Sequence, residues 1–364
     1  MANNSTQTNN YFTELDRANI LRLRELLAEL PDYCRTYLRG IEPRTQSRTR
    51  IAYAYDLRVF FQYLMRENPI AARYGSAKEI PLSLLEKLHS TDLEEYMEYL
   101  KYRPTEQGDG MLNQVTGIKR KLSSLRSFYK YLYQKEMIES NPADRVLLPK
   151  LHEKEIIRLD VDEIADLLDQ IESGEKLSER QRRYHEKTKL RDLALITLLL
   201  GTGIRVSECV GLNLSDVDFK NDGIRVHRKG GKEQIVYFGD EVEEALLNYM
   251  EERMALQSED FEEQALFLSL QQKRLSVRSI EKLVKKYALV AAPLKHITPH
   301  KLRSTYGTTL YRETGDIYLV ADVLGHSDVN TTKKHYAAIQ EDHRRSARNK
   351  VRLRENETYG QAQE

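Results

Sequence analysis

Apolar residues recur at helical spacing through the first part of this chain, and one convincing sheet signal stands later, at residues 224–227 and 234–238. Such a chain has to build its cores by packing helix faces, with a sheet as a minor addition. In residues 49–65, Ile51, Tyr55, Val59 and Leu64 recur at helical spacing, with Leu57 and Phe60 beside them and no proline between. Residues 93–100 and 115–132 read the same way, and the second sets Ile118, Leu122, Leu125, Phe128 and Leu132 on one face. Its basic residues fall largely on the other face, so one side packs on a core while the other is offered to anions.

The helical pattern stops near Asn141-Pro142, and residues 149–154 are charged and without period, a linker signal. It resumes at 159–171, where Asp160 as N-cap and Glu163 form a capping-box-like pair. The polar residues 173–189 read as a surface insertion. An apolar helix at 193–200 ends at Gly201-Thr202-Gly203, where glycine can take positive φ. The two alternating strands flank Lys229-Gly230-Gly231-Lys232, with Asn221-Asp222-Gly223 turning ahead of them, as in an antiparallel hairpin. Helices are expected again at 242–254, 277–290, 299–313 and 317–324. The fold expected is mainly α with a small antiparallel β-sheet. A length of 364 residues suits two domains.

A formal net charge of +1 hides segregation. Residues 110–135 hold no acid, but do hold Lys119, Arg120, Lys121, Arg126, Lys130 and Lys135. Residues 33–55 carry Arg35, Arg39, Arg44, Arg48 and Arg50 against Glu42, while acid collects at 160–172 and 240–263. One charge run is usually a solvated helix face; two in one half of a chain favour a polyanion partner. Cys34 and Cys209 belong to no CxxC or Cys/His cluster, which argues against a disulfide framework or a zinc site and for two packed thiols. No stretch approaches the roughly 20 apolar residues of a membrane helix, and the first residues lack a secretory pattern. A cytoplasmic protein with no membrane contact is expected.

Chemistry gathers in the second half. In Thr298-Pro299-His300-Lys301-Leu302-Arg303, proline starts a helix and places His300 and Arg303 on one face, suited to a shared anion. An isolated pair of this kind is more often a helix cap and a solvated arginine. Here, however, Gly203-Ile204-Arg205-Val206-Ser207-Glu208 lies upstream, and Leu324-Gly325-His326 lies downstream, followed by Asn330-Thr331-Thr332-Lys333-Lys334-His335-Tyr336-Ala337.

This series resembles the tyrosine recombinase (phage-integrase) family, whose pattern is an Arg in a GxRxxE turn, a Lys in a β-hairpin, HxxR, LGH and a late Tyr. Ala52-Tyr53, Asp56-Leu57 and Phe60 look like the second helix of the family's DNA-clamping domain. Residues 120–132, then Asn141-Pro142 and Pro149-Lys150, resemble the Xer branch. The polar insertion after Ile171 and the run Arg228-Lys229-Gly230-Gly231-Lys232 look like its single-recombinase, XerS-like members in streptococci. One departure is Ser304-Thr305, where many Xer proteins have His-Thr.

The resemblance implies an N-terminal extension at 1–34, a helical, SAM-like core-binding domain at 35–145 and a linker at 146–158. A mixed α/β catalytic domain at 159–340 and a C-terminal tail at 341–364 complete it. It also assigns positions to a chemistry that can be argued from side chains. A tyrosine hydroxyl, with a pKa near 10, is a poor nucleophile at neutral pH and needs positive charge or a base. Tyr336 is the implied nucleophile. Tyr306, Tyr311 and Tyr318 are nearby rivals, on helices at core-like spacing. Arg205 and Arg303 can hold the non-bridging phosphate oxygens through a planar fork that lysine lacks. His300 would assist proton transfer, His326 would donate to the phosphate, and Glu208 would orient Arg205 or His300. Lys229 is the implied acid for the leaving 5′ oxygen; Lys232 competes with it. Arg48, Arg50, Lys119, Arg120, Lys121, Arg126 and Lys130 are the candidate DNA contacts.

The implied enzyme cuts and rejoins DNA through a 3′-phosphotyrosine and a Holliday junction. Ester energy is conserved, so neither cofactor nor metal is expected. Its partners would be double-stranded DNA with an inverted-repeat core site, three further copies in a homotetramer on two sites, and a DNA translocase of the division machinery. Chromosome dimer resolution is favoured over an integrase or excisionase of a mobile element, because residues 1–29 are too few for an arm-binding domain. A regulator that only binds DNA would leave the six catalytic candidates unexplained. A metal-dependent nuclease would need clustered carboxylates, and none stands out in the apolar segments. The stretch 338–354, with Arg344, Arg345, Arg348, Lys350, Arg352 and Arg354, reads as a helix docked on a neighbouring subunit or as a phosphate-binding tail.

Overall fold

The computed structural model describes residues 10–104, 110–151, 157–228, 231–255 and 264–326. The chain divides into two units, Met1–Lys154 and Glu155–Glu364.

The first unit contains α1 (Asn10–Ala28), α2 (Asp32–Gly40), α3 (Ser47–Glu67), α4 (Leu82–Glu86) and α5 (Ser90–Lys101). A short antiparallel ribbon, β1 (Tyr102–Pro104) with β2 (Gly110–Leu112), precedes α6 (Val115–Gln134). Ile118, Leu122, Leu125, Phe128 and Leu132 of α6 are all buried, as their spacing predicts. In α3 the buried face is Ala54, Leu57, Phe60, Phe61 and Leu64, whereas Ile51, Tyr55 and Val59 are only partly covered. The shift has a cause that α3 does not encode: α1 packs along it, and Arg22 donates to the Tyr55 hydroxyl at 2.8 and 3.0 Å. Residues expected as an N-terminal extension therefore belong to this core over their described part, with Leu23, Leu26, Leu27 and Leu30 buried in it. Aromatic rings fill the centre: Phe128 meets Tyr37 edge-on at 5.3 Å and Phe60 meets Tyr96 at 5.1 Å, geometries in which ring edges face ring faces.

The second unit runs α7 (Val161–Ser173), α8 (Glu179–His185), α9 (Lys189–Thr202), α10 (Val206–Gly211), β3 (Val217–Asp218), β4 (Gly223–His227), β5 (Glu233–Tyr237), α11 (Asp240–Ala255), α12 (Val277–Ala291), α13 (Pro299–Thr314) and α14 (Ile317–Leu324). Beyond its charged first turn α9 is largely apolar, as suits a helix against which α7, α11 and α13 all pack, and Ala194, Leu195, Ile196, Leu198 and Leu199 are fully buried. The sheet order is β3-β4-β5, all antiparallel, with Ile224 opposite Val236 and His227 opposite Glu233. The polar insertion contains α8, whose Ser178 backbone N–H donates to Gln181 at 3.0 Å. At its other end His185 is buried, with Nε2 2.7 Å from the Ile171 carbonyl, so the insertion is tied to α7 rather than loose on the surface. Asp160 and Glu163 form the expected capping box at the start of α7, the Asp160 backbone N–H donating to Glu163 at 2.8 Å.

Candidate active site

Local chain geometry first sets the arginine of the GxRxxE turn. Gly203 ends α9 with φ 62°, a left-handed conformation that glycine accepts without a Cβ penalty. The chain then reverses, and Arg205 becomes the N-cap of α10. Three residues on, the Glu208 carboxylate accepts from the Arg205 backbone N–H at 2.8 Å and from Arg205 Nη1, also at 2.8 Å. Glu208 is 4% exposed. A buried carboxylate is tolerated only with such compensation. Of the two roles expected for Glu208, holding Arg205 is the one observed.

Helix α13 begins with Pro299 in its first turn, a position whose N–H has no intrahelical acceptor in any case. Its Arg303 is buried, donating through Nη1 to the Gly203 carbonyl at 2.5 Å and through Nη2 to the Leu324 carbonyl. His300, one turn earlier, is exposed. Helix α14 ends at Gly325, with φ 61°, and the half-buried His326 donates its backbone N–H to the Ala321 carbonyl at 2.8 Å.

The last carbonyls of α14 organise the site. Leu324 oxygen accepts from Arg303 and from Arg228 at 2.6 Å, Val323 oxygen from Arg228 at 2.8 Å, and Gly325 oxygen from Arg205 at 3.2 Å. Helix C-terminal carbonyls lack intrahelical donors and carry partial negative charge, so guanidinium groups suit them. Arg205, Arg228 and Arg303, from three separate elements, thus meet at one turn with Glu208 as the buried carboxylate beside Arg205. Three guanidinium groups face the carboxylates of Glu208 and Asp322, which leaves the locus net positive, the condition for binding a phosphodiester. Burial pulls the Arg228 guanidinium below its ordinary value, with Glu208 opposing that shift and Arg205 adding to it. Arg228 is not among the site candidates that the sequence offers; its position directly before Lys229 is the signal for it there.

Lys229 and Tyr336 lie outside the described residues, as does the tail 341–364. Among the rival tyrosines, Tyr311 is buried and Tyr306 partly so, as expected, but Tyr318 is 65% exposed and is not a core residue.

The candidate DNA contacts separate into two groups. Arg48 and Lys130 are exposed, and Lys119 is half-buried on α6. Arg120 forms a bidentate pair with the buried Asp56 at 2.5 and 2.7 Å, and Lys121 donates to Asn113 at 3.1 Å, each with part of its charge still at the surface. Arg50 and Arg126 are engaged by groups of their own unit. Arg50 is 7% exposed and paired with Glu42 at 2.9 Å. Arg126 donates to the carbonyls of Ala143, at 3.0 Å, and Val146. Both guanidinium groups serve the unit's own loops and helix ends, which have carbonyls or carboxylates to satisfy. No described helix is long and apolar enough to cross a membrane.

Comparison with known proteins identifies the family. Residues 157–343 match the phage integrase family. The chain is 35% identical over 343 residues to a tyrosine recombinase XerC from Caldanaerobacter subterraneus subsp. tengcongensis, covering 93% of this chain and 89% of the relative. It is 33% identical over 358 residues to a tyrosine recombinase XerS from Streptococcus gordonii, covering 91% and 98%. Among solved structures, a XerH site-specific recombinase bound to a palindromic difH substrate shares the fold, with a TM-score of 0.61 and 19% identity over 84% of this chain and 80% of that one. The chain belongs to the phage integrase family and is a site-specific, DNA-cleaving and rejoining tyrosine recombinase of the Xer type.

Proposed function

We propose that Tyr336 is the nucleophile of strand exchange and that Arg205, Arg303, His300, His326 and Lys229 act on the phosphate it attacks. The observation that carries this reading is the meeting of Arg205 and Arg303 at the Leu324-Gly325-His326 turn, with Glu208 holding Arg205. The Tyr336 Oη–phosphorus bond forms as the bond from phosphorus to the 5′ oxygen breaks. The phenolic proton leaves to a base, for which exposed His300 is the candidate. The departing oxygen takes a proton from Lys229. The paired guanidinium groups stabilise the added charge of the pentacoordinate transition state. A 3′-phosphotyrosine keeps the energy of the original ester, so religation by a 5′ hydroxyl needs no nucleotide.

The partner is double-stranded DNA with an inverted-repeat core, bound by two protomers, with two such pairs forming the tetramer that exchanges strands through a Holliday junction. Support comes from the palindromic substrate in the XerH complex and from the extent of the match to XerC and XerS relatives. The same matches favour chromosome dimer resolution in the cytoplasm, coupled to a DNA translocase. A nicked suicide substrate, from which the 5′ fragment diffuses away, tests the chemistry. Wild-type protein is expected to form a covalent protein–DNA adduct in EDTA and without ATP, and Tyr336→Phe none. An undiminished adduct with Tyr336→Phe overturns the assignment.

A further inference from the structure

We propose that Arg228 is a positioning residue for DNA cleavage, pinning to the turn that carries His326 the end of β4, from which the chain continues to Lys229. Its two terminal nitrogens hold successive carbonyls of that turn, Val323 at 2.8 Å and Leu324 at 2.6 Å. Its backbone N–H donates to the Lys232 carbonyl at 2.7 Å, so the same residue also closes the base of the hairpin tip. The Nε is buried with no acceptor among the described residues, which leaves the two carbonyls as the grip of the guanidinium.

A second observation, independent of these bonds, is the space made for the side chain. Gly325 has φ 61°, and a Cβ built there would overlap the Arg228 guanidinium. The turn before His326 thus lacks a side chain where the arginine lies. A planar fork spanning two carbonyls restricts rotation as well as distance, which one ammonium group cannot do. Since Arg205 and Arg303 hold the Gly325 and Leu324 carbonyls of the same turn, Arg228 places the strand leading to Lys229 in register with both phosphate-binding candidates.

The proposal rests on Lys229 being the acid for the 5′ oxygen, and a change of leaving atom separates the two ideas. A bridging 5′ sulfur departs as a thiolate and needs no proton. Single-turnover cleavage at saturating DNA would be measured on oxygen and sulfur substrates for wild type, Arg228→Ala, Arg228→Gln and Lys229→Ala, alongside DNA affinity and thermal melting. Arg228→Ala is expected to cleave the oxygen substrate roughly 10- to 100-fold more slowly, with affinity unchanged, and the sulfur substrate within about 3-fold of wild type. Arg228→Gln, which keeps one amide donor, should fall between the two and serves if the alanine variant melts below the assay temperature. Relief of Lys229→Ala by sulfur without relief of the Arg228 variants overturns the positioning role, as does unchanged cleavage of the oxygen substrate. Persistence of the Lys229→Ala defect on sulfur overturns the acid assignment instead, and Arg228 then stands or falls on whether its variants lose cleavage at constant affinity.

Discussion

Glu208 and Arg205 are joined twice: the carboxylate accepts from the backbone N–H of Arg205 and from its Nη1, each at 2.8 Å. One buried side chain therefore caps α10 and aims the guanidinium. Glu208→Gln preserves the shape and removes the charge. Charge-assisted hydrogen bonds contribute about 1.5 to 3 kcal/mol, so adduct formation on a suicide substrate is expected to slow by roughly 10- to 100-fold. DNA affinity in a gel-shift assay should stay within a few-fold. Full activity of the variant would remove Glu208 from the machinery.

Arg303 reaches two carbonyls far apart in sequence, Gly203 and Leu324. Lysine places a single point charge there and cannot span both. Arg303→Lys is expected to lower the cleavage rate constant by about 10²- to 10³-fold, the usual loss when one oxyanion donor is removed. Loss of the two carbonyl bonds should also cost about 1 to 3 kcal/mol of stability in urea unfolding.

Lys130 and Arg126 share α6 but differ in what they touch. Lys130 is exposed, whereas Arg126 is engaged by the carbonyls of Ala143 and Val146. If Lys130 meets a phosphate, Lys130→Ala should reduce the slope of log affinity against log salt by about 1. Arg126→Ala should leave that slope unchanged and instead lower stability by about 1 to 3 kcal/mol. Titrations at several salt concentrations, with parallel unfolding curves, distinguish the two.

Lys295 bridges Asp160 at 2.9 Å and Glu163 at 2.6 Å, joining the start of α7 to the loop that enters α13. The Lys295 hydrogen bond holds the Asp160 carboxyl below its ordinary value, and the bonds to Asp160 and then Glu163 raise Lys295. A depressed carboxyl stabilises the fold above its unfolded value, near 3.9, and that contribution disappears as pH falls through the lower folded value. A raised amine stabilises below its unfolded value, near 10.4, and loses the effect as pH rises through the folded one. Wild type should therefore exceed Lys295→Ala by up to about 1 kcal/mol on a neutral plateau. The difference should vanish at both extremes. A constant difference across pH would contradict the pairing.

Legibility in the sequence followed the range of the interaction. Helix α6 was readable because its own spacing puts Ile118 to Leu132 on one face. The buried face of α3 was displaced because α1 covers part of it, and nothing within α3 reports that neighbour. The β1–β2 ribbon is not legible in the sequence because three residues per strand are too few to show alternation. Arg50 and Arg126 look in sequence like Arg48 and Lys130; only the placement of Glu42, Ala143 and Val146 turns them inward. Glu208, by contrast, was legible, since a carboxylate three residues after an N-cap is a local arrangement.

Local spacing thus determined most of the helices, the hairpin, and the order of chemistry-bearing residues from Arg205 to Tyr336. Tertiary structure decided which of those residues meet. Arg205, Arg228 and Arg303 lie on separate elements, and what gathers them is the end of α14, where carbonyls 323–325 have no donors left within the helix. Those unsatisfied oxygens exist only once α14 has formed, and the guanidinium groups reach them only once α9, α13 and the hairpin have packed. Neither condition leaves a period or a spacing in the sequence.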